Sequence, residues 1–219
     1  MVEIYDSDRD QVEALRKWWK ENGKSIVLGV GLGLAAVLGW RAWQDYQHGQ
    51  AATASLRYQH LLDLAASGDP RQAAVLGEQL VASHPRTLYA ALTDLLLARL
   101  AADQGDLDAA VRHLDAVLAS AALDEIGPVA RLQKARVLLA QGKLDEALAA
   151  ASADVPAAFR PAFSELRGDV LATRGETAAA RQAYQEALRG LSDTAPTRAL
   201  VRMKLDDLGQ AEPGGEGRS

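Results

Sequence analysis

The stretch RGDVLATRGETAAARQAYQEA, residues 167–187, decides the fold of this chain. Its apolar residues follow a helical period on both sides of Gly175. A glycine between two such runs favours the end of one helix, because it adopts a positive φ at little cost. Ala180 comes five residues later, where a second helix would cross the first and only a small side chain lets the backbones approach. The stretch therefore predicts a hairpin of two helices.

Three more segments upstream have a glycine between two amphipathic runs and an alanine five residues later. The four glycines are spaced by 37, 37 and 33 residues, and the repeat is therefore regular. The glycine–alanine pairs are Gly68 and Ala73, Gly105 and Ala110, Gly142 and Ala147, Gly175 and Ala180. The pattern resembles the tetratricopeptide repeat, whose period is 34 residues. The consensus tryptophan is absent, and Leu61 makes the first unit degenerate, since the later units have Ala98, Ala135 and Gly168 there.

The repeats predict helical hairpins at about 51–83, 86–119, 126–153 and 158–190. A helix at about 195–208 can cover the open end of the stack, as solenoids require, through Leu200, Met203, Leu205 and Leu208. Residues 209–219 are polar and glycine-rich, and we expect them to be disordered. The fold class is thus all-α, with a single N-terminal transmembrane helix followed by a tetratricopeptide-like α-solenoid of about four hairpins and a capping helix.

The predicted transmembrane helix covers residues 25–43. The sixteen residues Ser25–Trp40 carry no charge, which is short for a span of about 20 residues. Lys24 and Arg41 can extend the span by placing their charges at the headgroups. The four tryptophans of the chain lie at the two edges of this span, as expected for residues at membrane interfaces: Trp18, Trp19, Trp40 and Trp43.

Three other interpretations compete for the apolar segment. A buried core helix would not need aromatic and cationic residues on both sides. Ala52-Thr53-Ala54 resembles the cleavage site of a signal peptide, but 24 residues with six acids precede the apolar run. The glycines from Gly29 to Gly33 are not a dinucleotide-binding turn, because the sixth-position glycine, a preceding strand and the acidic partner are missing.

The flanking cations predict the orientation. Five lysines and arginines precede the span, and only Arg41 and Arg57 follow it within about 20 residues. Residues 1–24 are therefore predicted to be cytoplasmic, with residues 1–6 disordered and a short amphipathic helix that begins at Ser7 and ends at the Asn22-Gly23 turn signal. Residues 46–208 are predicted to form the exported repeat domain, in the periplasm of a Gram-negative cell.

Small residues within the span recur at helical spacing. Gly29 and Gly33 form a G-x-x-x-G pair, and Ala35 and Gly39 repeat the spacing. Such pairs allow close helix packing in lipid, so we expect Gly29, Gly33 and Gly39 to contact another membrane protein. The alternative is that glycine is simply common in membrane helices.

Composition excludes several classes of function. The 219-residue chain has no cysteine, and residues 45–219 hold 18 basic and 23 acidic side chains, so neither a disulfide framework nor a nucleic-acid surface is expected. None of the histidines forms an H-E-x-x-H motif or an i, i+4 pair; they are His48, His60, His84 and His113. No nucleophile elbow or P-loop occurs. We therefore expect no catalysis, metal or cofactor.

A stack of hairpins has a concave groove lined by the first helix of each unit. Transferring the inner-facing repeat positions gives ten candidate partner or peptide contacts: Tyr58, Leu62, Leu92, Leu95, Arg99, Leu132, Arg136, Leu139, Glu165 and Asp169. The segment from Ala90 to Ala102 is apolar on nearly every face. Either the groove binds extended or unfolded polypeptide, or other parts of the chain cover these leucines as core.

The N-terminal block EIYDSDRDQVEALRKWWKENGK, the glycine-rich span ending GWRAW and the stretch ASLRYQHLL resemble the YfgM-like ancillary subunits of the SecYEG translocon. The repeat LRGDVLATRGETAAARQAY is similar to that family's best repeat. The resemblance covers nearly the whole chain and implies a single-pass inner-membrane protein without catalytic residues. Its implied partners are SecYEG and a membrane-anchored periplasmic chaperone of the peptidyl-prolyl isomerase type, with emerging secretory polypeptides as clients.

Two classes of function remain open. The first is an interaction subunit or holdase at the translocon exit. The second is a scaffold for an envelope-assembly or cell-wall complex with the same architecture. Crosslinking from the span distinguishes them, because only the first requires contact with the channel.

Overall fold

The computed structural model describes residues 3–120 and 126–210, with the side chains of 3–11, 14, 26 and 210 left aside. The described part of the chain is all-α, as predicted, and contains nine helices: α1 (Glu3–Ala66), α2 (Pro70–Ser83), α3 (Leu88–Asp103), α4 (Leu107–Ala119), α5 (Gly127–Ala140), α6 (Leu144–Ala151), α7 (Arg160–Thr173), α8 (Thr177–Gly190) and α9 (Arg198–Gln210).

Helix α1 continues through the predicted turn at Asn22-Gly23, so that prediction is wrong. The amide Nδ2 of Asn22 donates to the carbonyl of Trp18, 3.2 Å away and one turn earlier. Gly23 is buried against the ring of Trp19, where an added Cβ would lie 3.2 Å from the indole. A glycine in a helix costs only about 1 kcal/mol, which does not outweigh a continuous set of backbone hydrogen bonds.

The start of α1 also differs from the prediction. Residues 3–6, which we expected to be disordered, are helical, and Ser7 lies inside the helix rather than capping its start. Residues 1 and 2 lie outside the described part.

The chain divides into two compact units between Ala52 and Thr53. In the first unit, the apolar segment of α1 is exposed along its length: Val27, Leu32 and Leu38 are among its exposed side chains. Among the described residues, one helix is long and apolar enough to span a membrane, and its apolar window is 0% buried. Packing within this structure therefore does not account for its apolar character, as it would for a core helix.

In the second unit, all four predicted hairpin glycines end a helix with positive φ. The angles are 83° at Gly68, 81° at Gly105, 73° at Gly142 and 78° at Gly175. The next helix begins within two residues of each glycine, which forms the tight turn of the hairpin. In the first two hairpins an aspartate caps the start of the second helix. Asp69 and Asp106 accept from the backbone N–H groups of residues 72 and 109 at 3.0 and 2.9 Å.

The small residues predicted at the helix crossings are buried. Ala73, Ala110, Ala147 and Ala180 are all 0% exposed. The closest crossing is in the fourth hairpin, where a Cβ on Gly168 would lie 2.4 Å from Cε1 of Tyr184. The backbone of α7 thus lies directly against the ring of Tyr184, which is 3% exposed.

Core clusters are shared between successive hairpins, and this sharing makes the stack continuous. One cluster joins Ala98 of α3 and Leu114 of α4 to Ala130 of α5. A second joins Ala135 of α5 to Leu166 of α7, with Leu132 packed against it. Each hairpin therefore buries its apolar faces against its neighbours, as in other solenoids.

Helix α9 closes the end of the stack, with two of the four residues predicted to do so. Val201 is 0% exposed and packs with Tyr184 and Ala187, and Leu205 and Leu208 pack against the same cluster. Leu200 and Met203 are 43% and 54% exposed, so their predicted covering role is wrong. The buried face of α9 therefore begins at Val201 and not at Leu200. The surface against which α9 packs determines which of its faces is buried. Residues 209 and 210 are helical, and the rest of the predicted tail lies outside the described part.

Candidate functional site

The inner-facing positions of hairpin one are only partly covered. The ring of Tyr58 packs against that of Tyr89 of α3 in a tilted arrangement, with 5.8 Å between ring centroids. Burial raises the pKa of the Tyr58 hydroxyl above its usual value. Leu62 is 42% exposed, so it offers an apolar contact at this end of the groove.

The predicted leucines of hairpins two and three are mostly packing residues. Leu95 packs against the cluster that contains Ala98 and Leu114, whereas Leu132 and Leu139 pack against the next clusters along the stack. Leu92 is half-buried. This geometry favours the core interpretation for Leu95, Leu132 and Leu139.

The two predicted groove arginines are exposed. Nε of Arg99 lies 3.8 Å from a carboxylate oxygen of Asp103, and both side chains are largely solvated, so the pair is weak. Arg136 occupies the equivalent position of hairpin three and makes no ion pair with any described residue. Both guanidinium groups are therefore available to a partner.

The two acidic positions of hairpin four are already occupied by another part of the chain. Nζ of Lys204 in α9 donates to Oε1 of Glu165 and to Oδ2 of Asp169, both at 2.8 Å. The hydroxyl of Tyr184 donates to Oδ1 of Asp169, also at 2.8 Å. Glu165 and Asp169 therefore bind the capping helix in this structure.

The pKa values in this cluster reflect its burial and its negative charge. Burial opposes the charged form of Lys204, yet its hydrogen bonds to Asp169 and Glu165 outweigh that effect and raise the pKa of the ammonium group. Burial, the hydrogen bond to Asp169 and the two nearby carboxylates all raise the pKa of the Tyr184 hydroxyl far above its usual value.

Sequence reasoning missed a polar contact between hairpins one and two. Nδ1 of His113 lies 2.9 Å from Oδ1 of Asp94, which is 6% exposed, and Nε2 lies 3.4 Å from Oε1 of Glu78. The three residues come from α4, α3 and α2, so no local spacing could have predicted that they meet. The contact links three successive helices at the start of the stack.

The predicted membrane-packing glycines lie on an open helix surface. A Cβ at Gly29, Gly33 or Gly39 would meet nothing within 4 Å. Because Gly29 and Gly33 are four residues apart, they share one face of α1. That face leaves room for a close-packed helix of another protein.

Among the side chains that the structure describes, no group of three or more histidine, cysteine or acidic residues is arranged to hold a metal ion. The repeat unit carries exposed arginines and half-buried apolar side chains, and the first unit carries an open glycine face. Four stacked hairpins, a capping helix and a membrane-length helix together define a tetratricopeptide-type interaction protein.

Sequence comparison then identifies the family. The family model described as a tetratricopeptide repeat-like domain matches residues 16–210. The ancillary SecYEG translocon subunit of Escherichia coli (strain K12) is 32% identical over 208 residues, which are 94% of this chain and 99% of that protein. The corresponding subunit of Neisseria gonorrhoeae (strain ATCC 700825 / FA 1090) is 30% identical over 203 residues, 92% of this chain and 97% of that protein. The chain belongs to the family of ancillary SecYEG translocon subunits.

Two solved structures show the same fold at low sequence identity. PilF of Pseudomonas aeruginosa has a TM-score of 0.56 and 20% identity, and covers 78% of this chain and 80% of its own. A double mutant of MamA RS-1 has a TM-score of 0.54 and 19% identity, and covers 74% of this chain and 97% of its own. These likenesses show that the repeat solenoid is a shared architecture.

Leu132→Asp tests whether the inner leucines are core or groove. We expect it to lower the free energy of unfolding by about 3 kcal/mol, because an unpaired carboxylate would enter the cluster around Leu166. Arg136→Glu, one turn away and exposed, should leave the stability within about 0.5 kcal/mol. Urea unfolding of the full chain in mild detergent, followed by circular dichroism, measures both. Equal stabilities would show that Leu132 faces an open groove.

Proposed function

We propose that this protein is a non-catalytic inner-membrane subunit that associates with the SecYEG translocon and assists secretory proteins as they leave the channel. The observation that supports this most strongly is the near full-length similarity to proteins named ancillary SecYEG translocon subunits. The similarity covers the membrane-length helix as well as the repeats, which favours a shared mode of attachment. The repeat fold supports a binding role, since such stacks act by contacting other proteins.

In this proposal α1 crosses the inner membrane once at residues 25–43. The N-terminal segment, residues 1–24, is cytoplasmic, because lysines and arginines are concentrated there. The repeat domain, from residue 46, is periplasmic. A reporter fused after residue 210 tests the orientation: an alkaline phosphatase fusion should be active, and an active cytoplasmic reporter at the same position would contradict it.

The partner of the repeat domain is proposed to be a membrane-anchored periplasmic chaperone of the peptidyl-prolyl isomerase type. The exposed Arg99 and Arg136, together with Leu62 and the half-buried Leu92, offer charge and apolar contacts to such a partner or to an unfolded client. Glu165 and Asp169 contribute to this groove only if α9 is displaced.

Photo-crosslinking from the span distinguishes this function from the envelope-scaffold alternative. A photoreactive residue in place of Leu32, an exposed and already bulky side chain that lies one turn from Gly29 on α1, should crosslink to a channel subunit in intact membranes. Crosslinks to cell-wall assembly proteins, without channel subunits, would favour the scaffold. Mass spectrometry of the detergent-solubilised complex would identify the chaperone and clients.

Replacing Gly29 and Gly33 together with leucine should reduce co-purification of the channel by about tenfold, since bulky side chains would separate the packed helices. Gly31→Leu is the matched control, because Gly31 also has open space around its Cβ but lies two residues along, on the opposite side of α1. Quantitative immunoblotting of the purified complex measures the effect. An unchanged yield with the double variant would remove the glycine face from the contact.

A further inference from the structure

The outer side of hairpin one carries an open apolar cleft of about 340 Å³ between the end of α1 and α2. Leu64, Val75 and Leu76 contribute its apolar lining, and Val75 is 59% exposed. Leu56 precedes the cleft residue His60 by one helical turn and is 69% exposed, so it extends the apolar stripe along α1. The exposed apolar surface therefore extends over several residues of α1 and α2 and is not one isolated side chain.

The cleft lies where a solenoid normally continues. The opposite side of α2 packs tightly on hairpin two: a Cβ on Gly77 would lie 2.8 Å from Cδ2 of Leu97 and 3.2 Å from Cγ2 of Thr93. A preceding hairpin would pack on the cleft side, and terminal repeats need a polar cap there. At the other end, α9 supplies that cap through Val201 and Lys204. In the described parts of the repeat unit, residues 53–120 and 126–210, no comparable helix covers hairpin one.

The charge of the cleft indicates what covers it. Its polar lining is made of His60, Arg71 and two glutamines, with no carboxylate. A helix that docks there should therefore present apolar side chains flanked by acids.

The outer face of α9 has this chemistry. Leu200 and Met203 are 43% and 54% exposed, and the exposed Asp206 and Asp207 follow Met203 by three and four residues on the same face. Arg202, which is also exposed, borders this face on the side of Asp206, since it precedes Asp206 by one turn, whereas Asp207 lies on the opposite side of Met203. The face opposite the core-packing residues Val201 and Leu205 is thus apolar with two acids.

We propose that the outer face of α9 of one copy docks in the hairpin-one cleft of a second copy, so that the repeat domains associate head to tail. Met203 and Leu200 enter the apolar cleft, and Asp206 and Asp207 face Arg71. The contact is heterologous, since it joins two different surfaces, and it can propagate into a ring or an open chain of copies. It goes beyond the translocon association and does not require it.

The absence of cysteine from the chain makes a direct test possible. Full-length Val75→Cys and Met203→Cys variants carrying different tags are mixed in mild detergent and oxidised. The mixed disulfide should exceed both homodimer products by roughly fivefold or more, as expected for a specific orientation of two complementary surfaces. Gln185→Cys, on an exposed position of α8, replaces Met203→Cys as the control and should give only background crosslinking.

Charge reversal tests the electrostatic part of the contact. Arg71→Glu in the Val75→Cys chain should reduce the mixed disulfide by roughly fivefold, and Asp206→Arg with Asp207→Arg in the other chain should restore it. The same mixture with Gly29→Leu and Gly33→Leu in both chains should still crosslink.

The proposal is overturned if the mixed disulfide does not exceed the Gln185→Cys control, or if the Val75→Cys homodimer dominates. Loss of the crosslink with the span variants would also overturn it, because association would then depend on α1. If Arg71→Glu reduces the crosslink while the channel still co-purifies normally, the contact between copies is independent of the proposed translocon association.

Discussion

Gly168→Ala is expected to lower the free energy of unfolding of the repeat unit by about 2–3 kcal/mol, although alanine normally stabilises a helix relative to glycine. The new methyl group would lie 2.4 and 2.5 Å from two ring carbons of Tyr184. The ring cannot move away freely, since it is 3% exposed and its hydroxyl is hydrogen-bonded to Asp169. Either the α7–α8 crossing widens or this hydrogen bond is lost.

Gly209→Ala is the matched control, because Gly209 is also helical and has nothing within 4 Å of a Cβ. It should leave the stability unchanged or raise it by up to about 1 kcal/mol. Urea unfolding of the full chain in mild detergent measures both variants.

A double-variant cycle isolates the cause of the Gly168→Ala effect. In a Tyr184→Ala background, Gly168→Ala should cost less than about 0.5 kcal/mol, since the methyl group then has room. Equal costs in the two backgrounds would show that the crossing does not depend on the Tyr184 ring.

Lys204→Met is expected to lower the free energy of unfolding by about 2–3 kcal/mol and to loosen α9. It removes the cation that is hydrogen-bonded to both Glu165 and Asp169, and the side chain of Glu165 is only 12% exposed. Two neighbouring carboxylates would then remain without a cation, which costs more than losing one exposed ion pair. Lys143→Met is the control, because that lysine is exposed and forms no ion pair with the described residues; it should change stability by less than about 0.5 kcal/mol.

The same cluster predicts how stability depends on alkaline pH. The pKa of Lys204 is raised from 10.5 in the fold, so its contribution is fully present below pH 10.5 and is lost as the pH rises through the folded-state value. The pKa of Tyr184 is raised from 10.0, so the unfolded chain releases that proton first and stability falls above pH 10. Both effects lower the stability of the fold as the pH rises.

The urea midpoint of the wild-type chain should therefore decrease as the pH rises above about 10. The decrease should be smaller in Tyr184→Phe and in Lys204→Met, because each variant lacks one of the two titrating groups. A wild-type midpoint that is flat from pH 9 to 11 would contradict the assigned cluster. The sign is opposite to that of a carboxylate with a lowered pKa, whose contribution is lost on acidification.

Local chain chemistry allowed the hairpins to be predicted. The turn glycines could be recognised because a positive φ favours glycine at any such position, whatever surrounds it. The crossing alanines could be recognised because they repeat at a fixed distance from those glycines, and the structure places all four at 0% exposure. The membrane-length helix depends only on a run of uncharged residues, which is equally local.

The candidate groove could be predicted only in part. The repeat register placed Arg99 and Arg136 at equivalent exposed positions. It could not reveal that Leu95 and Leu132 pack into shared clusters, because that depends on how closely the next hairpin approaches. Nor could it reveal that Lys204 of α9 is hydrogen-bonded to Glu165, since the two residues are 39 positions apart.

Sequence alone thus determined the elements of this protein: the helices, the glycine-ended turns, the repeat order and the uncharged segment, all of which follow from backbone preferences and short-range periodicity. Only the tertiary structure decided which faces are used. It buried Val201 in place of Met203 and joined His113 to Asp94 across two helices. The physical reason is that burial and pairing depend on the partner surface, and residues far apart in the chain supply that surface.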